Sequence, residues 1–314
     1  MIDFRYHLVS LMSVLIALTL GVILGAGPLQ GPLSAALTGQ VNRLTTEHAQ
    51  LTKDLRTANK QLEGSAQVVA SLAGALLPGT LTDAKVGLIT VAGAEDADIQ
   101  SVSDKLTAAG AKIVGRFDLK NDWFTEGKST YRSQLTSAMS QYLETPPAQS
   151  ATADEILGTG LVQMLEKPGD KSSALAQIYA SKDSPLLTVA TPVSEAATAI
   201  VVIGPHQEDS GAPVDTKQND KGAVWADEAL VGFTKSLDIT HARTVIAGSA
   251  ATDNSFLAKV RATSAKVTTV DSLGTKTGQF AVPFALKRAL DGKVGAYGSQ
   301  IGASKLFPVI EAKK

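Results

Sequence analysis

The hydrophobic pattern divides the chain into three stretches, and the first is a continuous apolar run. From Leu8 to Ala26 there is no charged residue, and eleven positions are Leu, Val or Ile. Each of these favours the bilayer centre by roughly 0.3–0.6 kcal/mol. As a helix the run would be about 28 Å long, close to the roughly 30 Å of hydrocarbon in a bilayer. The pattern predicts a leader at 1–7 and a transmembrane helix at 8–27.

The alternative for this run is a cleaved signal peptide. The leader carries one Arg and one Asp, and bulky Leu24 stands where cleavage after Ala26 would need a small residue. Both features favour an uncleaved anchor. Arg5 precedes the run and the next Lys or Arg is Arg43, so the positive-inside rule predicts a cytoplasmic N-terminus. We expect a single-pass protein of the cell membrane, with most of the chain extracytoplasmic (periplasmic).

Small residues recur within the anchor every four positions, at Ala17, Gly21 and Gly25. A Gly-x-x-x-Gly spacing lets two helix backbones approach closely, which would make Gly21 and Gly25 dimerisation residues. Glycine is also common in membrane helices that do not pair, so both interpretations stay open. Gly27-Pro28 and Gly31-Pro32 are expected to interrupt the helix just outside the bilayer.

The second stretch, 33–77, has a repeat of 3.5 residues, and Pro78-Gly79 ends it about 60 Å from its start. Ten of the twelve positions in the repeat are apolar, which predicts a parallel coiled-coil stalk that joins two copies of the chain as a homodimer. The alternative is an amphipathic helix lying on its own globular domain. The positions are Leu37, Val41, Leu44, His48, Leu51, Leu55, Ala58, Leu62, Ser65, Val69, Leu72 and Leu76.

His48 occupies an a position of this heptad pattern. Its protonation would bring two imidazolium groups together in a dimer and make the seam sensitive to pH. A polar residue at an a position also fixes the register of a coiled coil. We favour the second role.

The third stretch, 84–300, alternates short β-rich runs with helical patterns, and 301–314 is a C-terminal tail. This alternation predicts an α/β domain with a mostly parallel sheet covered on both faces. The expected strands are 86–91, 112–117, 199–203, 243–247 and 266–270. The expected helices are 96–109, 130–143, 154–166, 174–180, 223–237, 255–261 and 278–290. The residues from Gly292 onward give no clear pattern.

Composition limits the chemistry available to this domain. The 314 residues carry a net charge of −1 without a basic block, which argues against a nucleic-acid partner. There is no cysteine, and there are four methionines and four histidines, so the thiolate and thioether ligands preferred by Cu(I) are scarce. No nucleotide-binding, hydrolase or zinc-protease motif is present. We therefore expect no catalytic, cofactor or metal site.

Ligands of parallel sheets bind at the carboxyl ends of the strands, where this sequence places Asp96, Asp98, His206, Asp253 and Asn254. A carboxylate cluster with one His could bind a metal or act in acid–base chemistry. Helix capping explains the four carboxylate and amide residues without any function. An enzyme would require that alanine at Asp96, His206 or Asp253 destroys activity without unfolding the chain.

One further motif is the aromatic pair in Asp122-Trp123-Phe124. It suggests either an exposed contact for a partner or core packing, and we favour packing.

Two groups of segments resemble the actinobacterial MctB family. The first is Phe4-Arg5-Tyr6-His7-Leu8-Val9-Ser10-Leu11 with the later Leu18-Thr19-Leu20-Gly21-Val22-Ile23-Leu24-Gly25. The second is Val270-Asp271-Ser272 with Gly295-Ala296-Tyr297-Gly298 near the C-terminus. The order of leader, anchor, stalk and α/β domain also matches.

The resemblance implies two alternative functions. One is copper transport, and the other is that of the SteB-type corynebacterial proteins, which resemble envelope scaffolds. The latter act with a membrane partner, SteA, in activating a peptidoglycan hydrolase during division. One spanning helix without an ionisable residue offers no ion path. We therefore expect a non-enzymatic dimeric scaffold that works with a SteA-like membrane partner and a periplasmic peptidoglycan hydrolase or its activator, with copper homeostasis or transport as the alternative.

Overall fold

A computed structural model describes residues 4–26, 30–181, 184–206, 225–238 and 243–309. The chain separates into two compact units, Met1–Ser65 and Ala66–Lys314. The first contains helix α1, Phe4–Ala26, and most of helix α2, Gln30–Leu76. The second contains the end of α2 and an α/β domain.

Helix α1 is longer at its N-terminus than the apolar run that predicts it, and Arg5–Ile23 meets the length and hydropathy expected of a membrane span. The expectation that Gly31-Pro32 interrupts the helix is wrong, since both residues lie in the first turn of α2. Proline is tolerated there because the first turn needs no donated backbone N–H. At the other end α2 stops at Leu76, and Gly79 follows with φ 78°, as the Pro-Gly pair predicts.

A seven-stranded sheet forms the centre of the domain, in the order β3-β2-β1-β4-β5-β6-β7. All neighbours are parallel except β2 and β3, which confirms the predicted mostly parallel sheet. The strands are β1 Lys85–Thr90, β2 Lys112–Leu119, β3 Leu187–Thr191, β4 Ala199–Ile203, β5 Thr244–Ala247, β6 Thr268–Val270 and β7 Ala296–Tyr297.

Helices cover both faces of this sheet because the strands carry apolar residues on alternate sides. In β4, Ile200 and Val202 join one buried cluster while Val201 and Ile203 join the other. Helices α3 Asp96–Ala108 and α9 Lys276–Leu290 pack on the second face. The first is covered by α4 Ser129–Met139, α5 Ala153–Glu166, α6 Asp170–Tyr179, α7 Asp227–Asp238 and α8 Phe256–Ala262.

The placement of α9 gives the last crossover an unusual hand. The β4–α7–β5 and β6–α9–β7 connections advance in the same direction along the sheet, but α7 and α9 lie on opposite faces. The two connections therefore have opposite hands. The β1–α3–β2 connection runs in the other direction on the face of α9, which gives it the same hand as β4–α7–β5. Crossovers in parallel sheets are nearly always of one hand, so β6–α9–β7 is the exception.

Candidate functional site

The stalk helix carries an exposed apolar stripe at the predicted seam. In the single chain Leu44, Leu51 and Leu55 are each more than 60% exposed. Leu37, Val41, Leu62, Leu72 and Leu76 are exposed as well, between 53% and 61%. Val69 differs, because it is half-buried within the chain. Solvent-exposed rows of this length are typical of surfaces that meet a partner.

The positions beside the apolar stripe are polar and carry few charges. In the predicted heptad Glu47 and Asp54 occupy g positions, and the e positions of a parallel partner that face them are Thr52 and Asn59. Arg43 pairs with Glu47 along the helix at 3.2 Å, with both side chains well exposed. The seam of a parallel dimer would therefore meet no like-charge pair at its edges.

Gly21 and Gly25 are both exposed on α1, and apart from the adjoining helix backbone no atom lies within 4 Å of where a Cβ would stand at either position. The surface that a second helix would need is open. Pairing through these two glycines stays a prediction.

A second candidate site lies at the carboxyl edge of the sheet, where β1 and β4 are neighbours. The chain leaves β1 toward β2 on one side, whereas β4 continues to β5 on the other. Such a switch in direction opens the crevice where parallel sheets bind ligands. His206 follows β4 at this point and reaches across to Asp98 in the first turn of α3.

The two carboxylates of this site flank the His206 ring. Its Nδ1 forms a hydrogen bond with Asp98 Oδ2, and its Nε2 lies 3.6 Å from Glu95 Oε1. Asp98 is almost completely buried, whereas the Glu95 side chain is 47% exposed. Gly274 provides room for the ring, since a Cβ there would lie 2.8 Å from His206 Cδ2. The fold therefore holds the imidazole in one place.

A hydrogen-bond chain connects this pair to α9. Gln279 Nε2 donates to Asp98 Oδ1 at 3.1 Å, and Ser101 Oγ donates to Gln279 Oε1 at 2.6 Å. Lys105 Nζ completes the chain by donating to Ser101 Oγ at 2.5 Å and to Gln279 Oε1 at 3.3 Å. Burial lowers the pKa of Lys105, because desolvation disfavours the charged ammonium. Both oxygens of Asp98 are thus engaged.

The capping explanation of the sequence candidates is wrong in its details. Glu95, not Asp96 or Asp98, is the N-cap of α3, and Ser255 is the N-cap of α8. Asp96 and Asp98 lie in the first turn, where the helix dipole still favours acids. Asp253 and Asn254 are both exposed in the turn before α8. Neither forms a hydrogen bond with His206.

The aromatic pair is packed into the core, as expected. Trp123 is fully buried and Phe124 is 3% exposed. Trp123 stacks on Tyr179 with centroids 5.5 Å apart, and Phe124 meets Phe233 edge-on at 5.5 Å. The pair therefore stabilises the face that carries α6 and α7.

Within the described parts of the chain, no three His, Cys, Asp or Glu side chains converge on a point where they could hold one metal ion. At the switch point three ligands do not converge because Asp98 and Glu95 lie beside opposite nitrogens of the His206 ring. The other nitrogen, His206 Nε2, lies 3.6 Å from Glu95 Oε1.

The two C-terminal segments that resemble the family form one buried clamp. Asp271 is fully buried and pairs with Arg261 Nη1 at 2.9 Å. Its carboxylate also accepts the backbone N–H groups of Ser299 and Gln300, at 2.9 and 3.1 Å. Gly298 has φ 126°, and a Cβ there would overlap Asp271 Oδ1. The clamp holds β7 beside β6.

The fold and these sites define a class of protein: an α/β domain in a chain whose N-terminus carries a helix able to cross a membrane and then a long helix with an apolar stripe. The chain belongs to the MctB family, since the profile described as "Copper transport outer membrane protein, MctB" matches residues 1–308. It is similar to proteins named "Copper transporter MctB" in Mycobacterium tuberculosis, at 25% identity over 96% of this chain and 98% of the relative. The Mycobacterium leprae protein of that name is 25% identical over 98% and 99%.

The sequence places both Asp98 and His206 at the carboxyl ends of strands but does not predict that they pair, and it does not predict the Arg261–Asp271 clamp. The usable signal for the pair is that each residue follows a predicted strand, 86–91 for Asp98 and 199–203 for His206. No comparable signal marks Arg261, because basic residues are also ordinary in the last turn of a helix.

Proposed function

We propose that this protein takes part in copper transport at the cell envelope, as a membrane-anchored component that handles the ion outside the bilayer. The observation that carries the proposal is the family match over residues 1–308. The relatives named as copper transporters align over 96–98% of this chain, so the likeness includes the anchor, stalk and domain.

The single membrane helix favours a protein that binds or delivers the ion over one that forms an ion channel. Among the described residues, one helix is long and apolar enough to cross a membrane. Its 8–26 run contains no charged residue and so provides no polar path for an ion. We propose that the ion crosses through other molecules and that this chain binds or delivers it on one side.

Copper content measures this function directly. Cells without the chain should differ in copper content from cells that express it, measured by inductively coupled plasma mass spectrometry after growth in added copper. A variant lacking residues 4–26 is the matched control and should fail to restore the normal content. Identical copper content with and without the full chain would overturn the proposal.

The proposed orientation has a cytoplasmic N-terminus, supported by Arg5 at the start of the span and no further Lys or Arg until Arg43. The chain contains no cysteine, so single-cysteine variants report exposure without background labelling. We expect a maleimide unable to cross the cytoplasmic membrane to label Asp253→Cys and to spare Asp3→Cys, which precedes the span, in intact cells. The opposite labelling would reverse the orientation.

A second candidate function is that of a dimeric scaffold that relays to a periplasmic peptidoglycan hydrolase during cell division, together with a SteA-like membrane partner. The exposed stripe from Leu37 to Leu76 favours it, because two parallel copies would bury that surface. Deleting residues 37–76 should abolish hydrolase activation while leaving the domain folded. Retained activation without the stalk would refute the relay.

A further inference from the structure

We propose that His206 and Glu95 bind one Cu(II) ion at the carboxyl edge of the sheet, with Asp98 as the positioning residue. The choice of copper rests on the proposed function, whereas the site rests on geometry. The first feature of that geometry is which nitrogen of the His206 imidazole is free to bind a metal. Because Nδ1 is engaged by Asp98, the lone pair available to a metal is on Nε2, which faces Glu95.

The separation of the two donors fits one bridging ion. Imidazole nitrogen and carboxylate oxygen bind a divalent metal such as zinc at about 2.0–2.2 Å, so two donors on one ion lie roughly 3 to 4 Å apart. His206 Nε2 and Glu95 Oε1 are 3.6 Å apart. That separation is too long for a hydrogen bond, but it needs little movement to accept an ion between the two atoms.

The surroundings fix the imidazole as metal sites generally do. Metal-binding histidines usually donate their second nitrogen to a carboxylate, which sets the tautomer and raises the basicity of the ligand. Asp98 occupies that position, and Gln279 holds its other oxygen at 3.1 Å. Gly274 leaves room for the ring, since a Cβ at that position would lie 2.8 Å from His206 Cδ2. The arrangement is therefore built before an ion arrives.

Charge and access are also suitable. Glu95, Asp96 and Asp98 place three carboxylates at the start of α3. Lys105 interacts with Asp98 and with Lys276, and Arg116, which pairs with Asp118, also interacts with Asp96. Lys105 is held by Ser101 and Gln279 on the far side of Asp98. The Glu95 side chain is 47% exposed and the His206 side chain is 15% exposed, so solvent reaches the site at Glu95.

Nitrogen and oxygen donors with open positions suit Cu(II) in a tetragonal arrangement. The chain has no cysteine thiolate that would draw copper elsewhere. The proposed site has two protein ligands, His206 and Glu95, and among the described residues no group of three ligands is present.

The test is titration of the purified full-length protein in detergent with Cu(II) alone, followed by calorimetry and by electron paramagnetic resonance with electron spin-echo envelope modulation. We expect one equivalent with the modulation of one imidazole nitrogen. His206→Gln should weaken binding at least tenfold and remove the nitrogen signal. Glu95→Gln should weaken binding about tenfold and retain it. Asp98→Asn should weaken binding 10- to 100-fold and change the spectrum, which a purely structural role would not do.

His48→Gln is the matched control, because His48 is exposed on the stalk and should not affect the signal. Glu95 is half exposed, so Glu95→Gln tests the site even if His206→Gln lowers the unfolding temperature. Absence of an imidazole-bound ion in the wild type, or wild-type affinity in His206→Gln or Glu95→Gln, would overturn the site. Unchanged copper content in cells would refute the proposed function while leaving a positive titration, and hence the site, intact.

Discussion

Replacing Asp271 by alanine should destabilise the α/β domain more than any exposed substitution. The change leaves Arg261, whose side chain is 6% exposed, without its carboxylate partner. It also leaves the N–H groups of Ser299 and Gln300 without an acceptor. Removing one partner of a buried pair costs about 3–5 kcal/mol. For a domain of this size each kcal/mol lowers Tm by about 2–4 °C, so we expect a decrease of roughly 6–20 °C.

Tryptophan fluorescence is the appropriate assay, because the only two tryptophans are Trp123 and Trp225 and both lie in the unit that begins at Ala66. The signal therefore reports unfolding of the domain and not of α1. Asp271→Asn keeps an oxygen acceptor but loses the charge, and should lie between wild type and alanine. Asp253→Ala removes an exposed acid and should change stability by less than about 0.5 kcal/mol.

A double-mutant cycle with Arg261→Ala separates the pair from other effects. We expect the double variant to be much less destabilised than the sum of the single variants, since removing both charges leaves neither buried and unpaired. The reasoning is refuted if Asp271→Ala unfolds at the same temperature as Asp253→Ala, or if the two single effects simply add.

The remaining predictions concern the stalk and one surface pair. Leu44→Lys combined with Leu51→Lys should convert the proposed dimer to monomer in sedimentation equilibrium, whereas Lys53→Glu on the outer face should not. His48→Leu should strengthen the dimer, because it replaces a polar a position in the seam, and a weaker dimer would contradict that placement. Lys112 and Lys85 lower the pKa of Glu195 to about 2 from 4.5. Because the pKa of Glu195 is lower in the folded than in the unfolded state, its ionised carboxylate stabilises the folded protein at pH values above the unfolded pKa. The Tm of wild type should therefore exceed that of Glu195→Gln by its full amount above about pH 5, and the difference should vanish as the pH falls toward 2.

The sheet could largely be predicted from sequence because its central strands are continuous apolar runs. β1 and β4 lie within one residue of their expected bounds, since burial on both faces leaves a strong local signal. β3 was missed because it is an edge strand with several exposed positions. β7 has two residues, too few for any periodicity. The expected start of α7 at 223 lies outside the described residues, within which the helix begins at Asp227.

The switch-point pair was harder to predict for a different reason. Asp98 has the position of an ordinary first-turn acid, and it lies 108 positions before His206 in the sequence. Only the adjacency of β1 and β4 brings the two together, and that adjacency is a property of the topology. Similarly, Asp271 and Gly298 are close because β6 and β7 pair across an intervening helix. Local patterns cannot reveal such contacts.

The absence of a side chain at position 274 offers a way to sort the relatives of this protein. Any methyl group at that position would compete for the volume filled by the His206 ring. A lineage that replaces this glycine should therefore have lost the imidazole too, and its members would handle their cargo without the switch-point crevice. Reading these two alignment columns together would separate the two kinds of protein before any of them is purified.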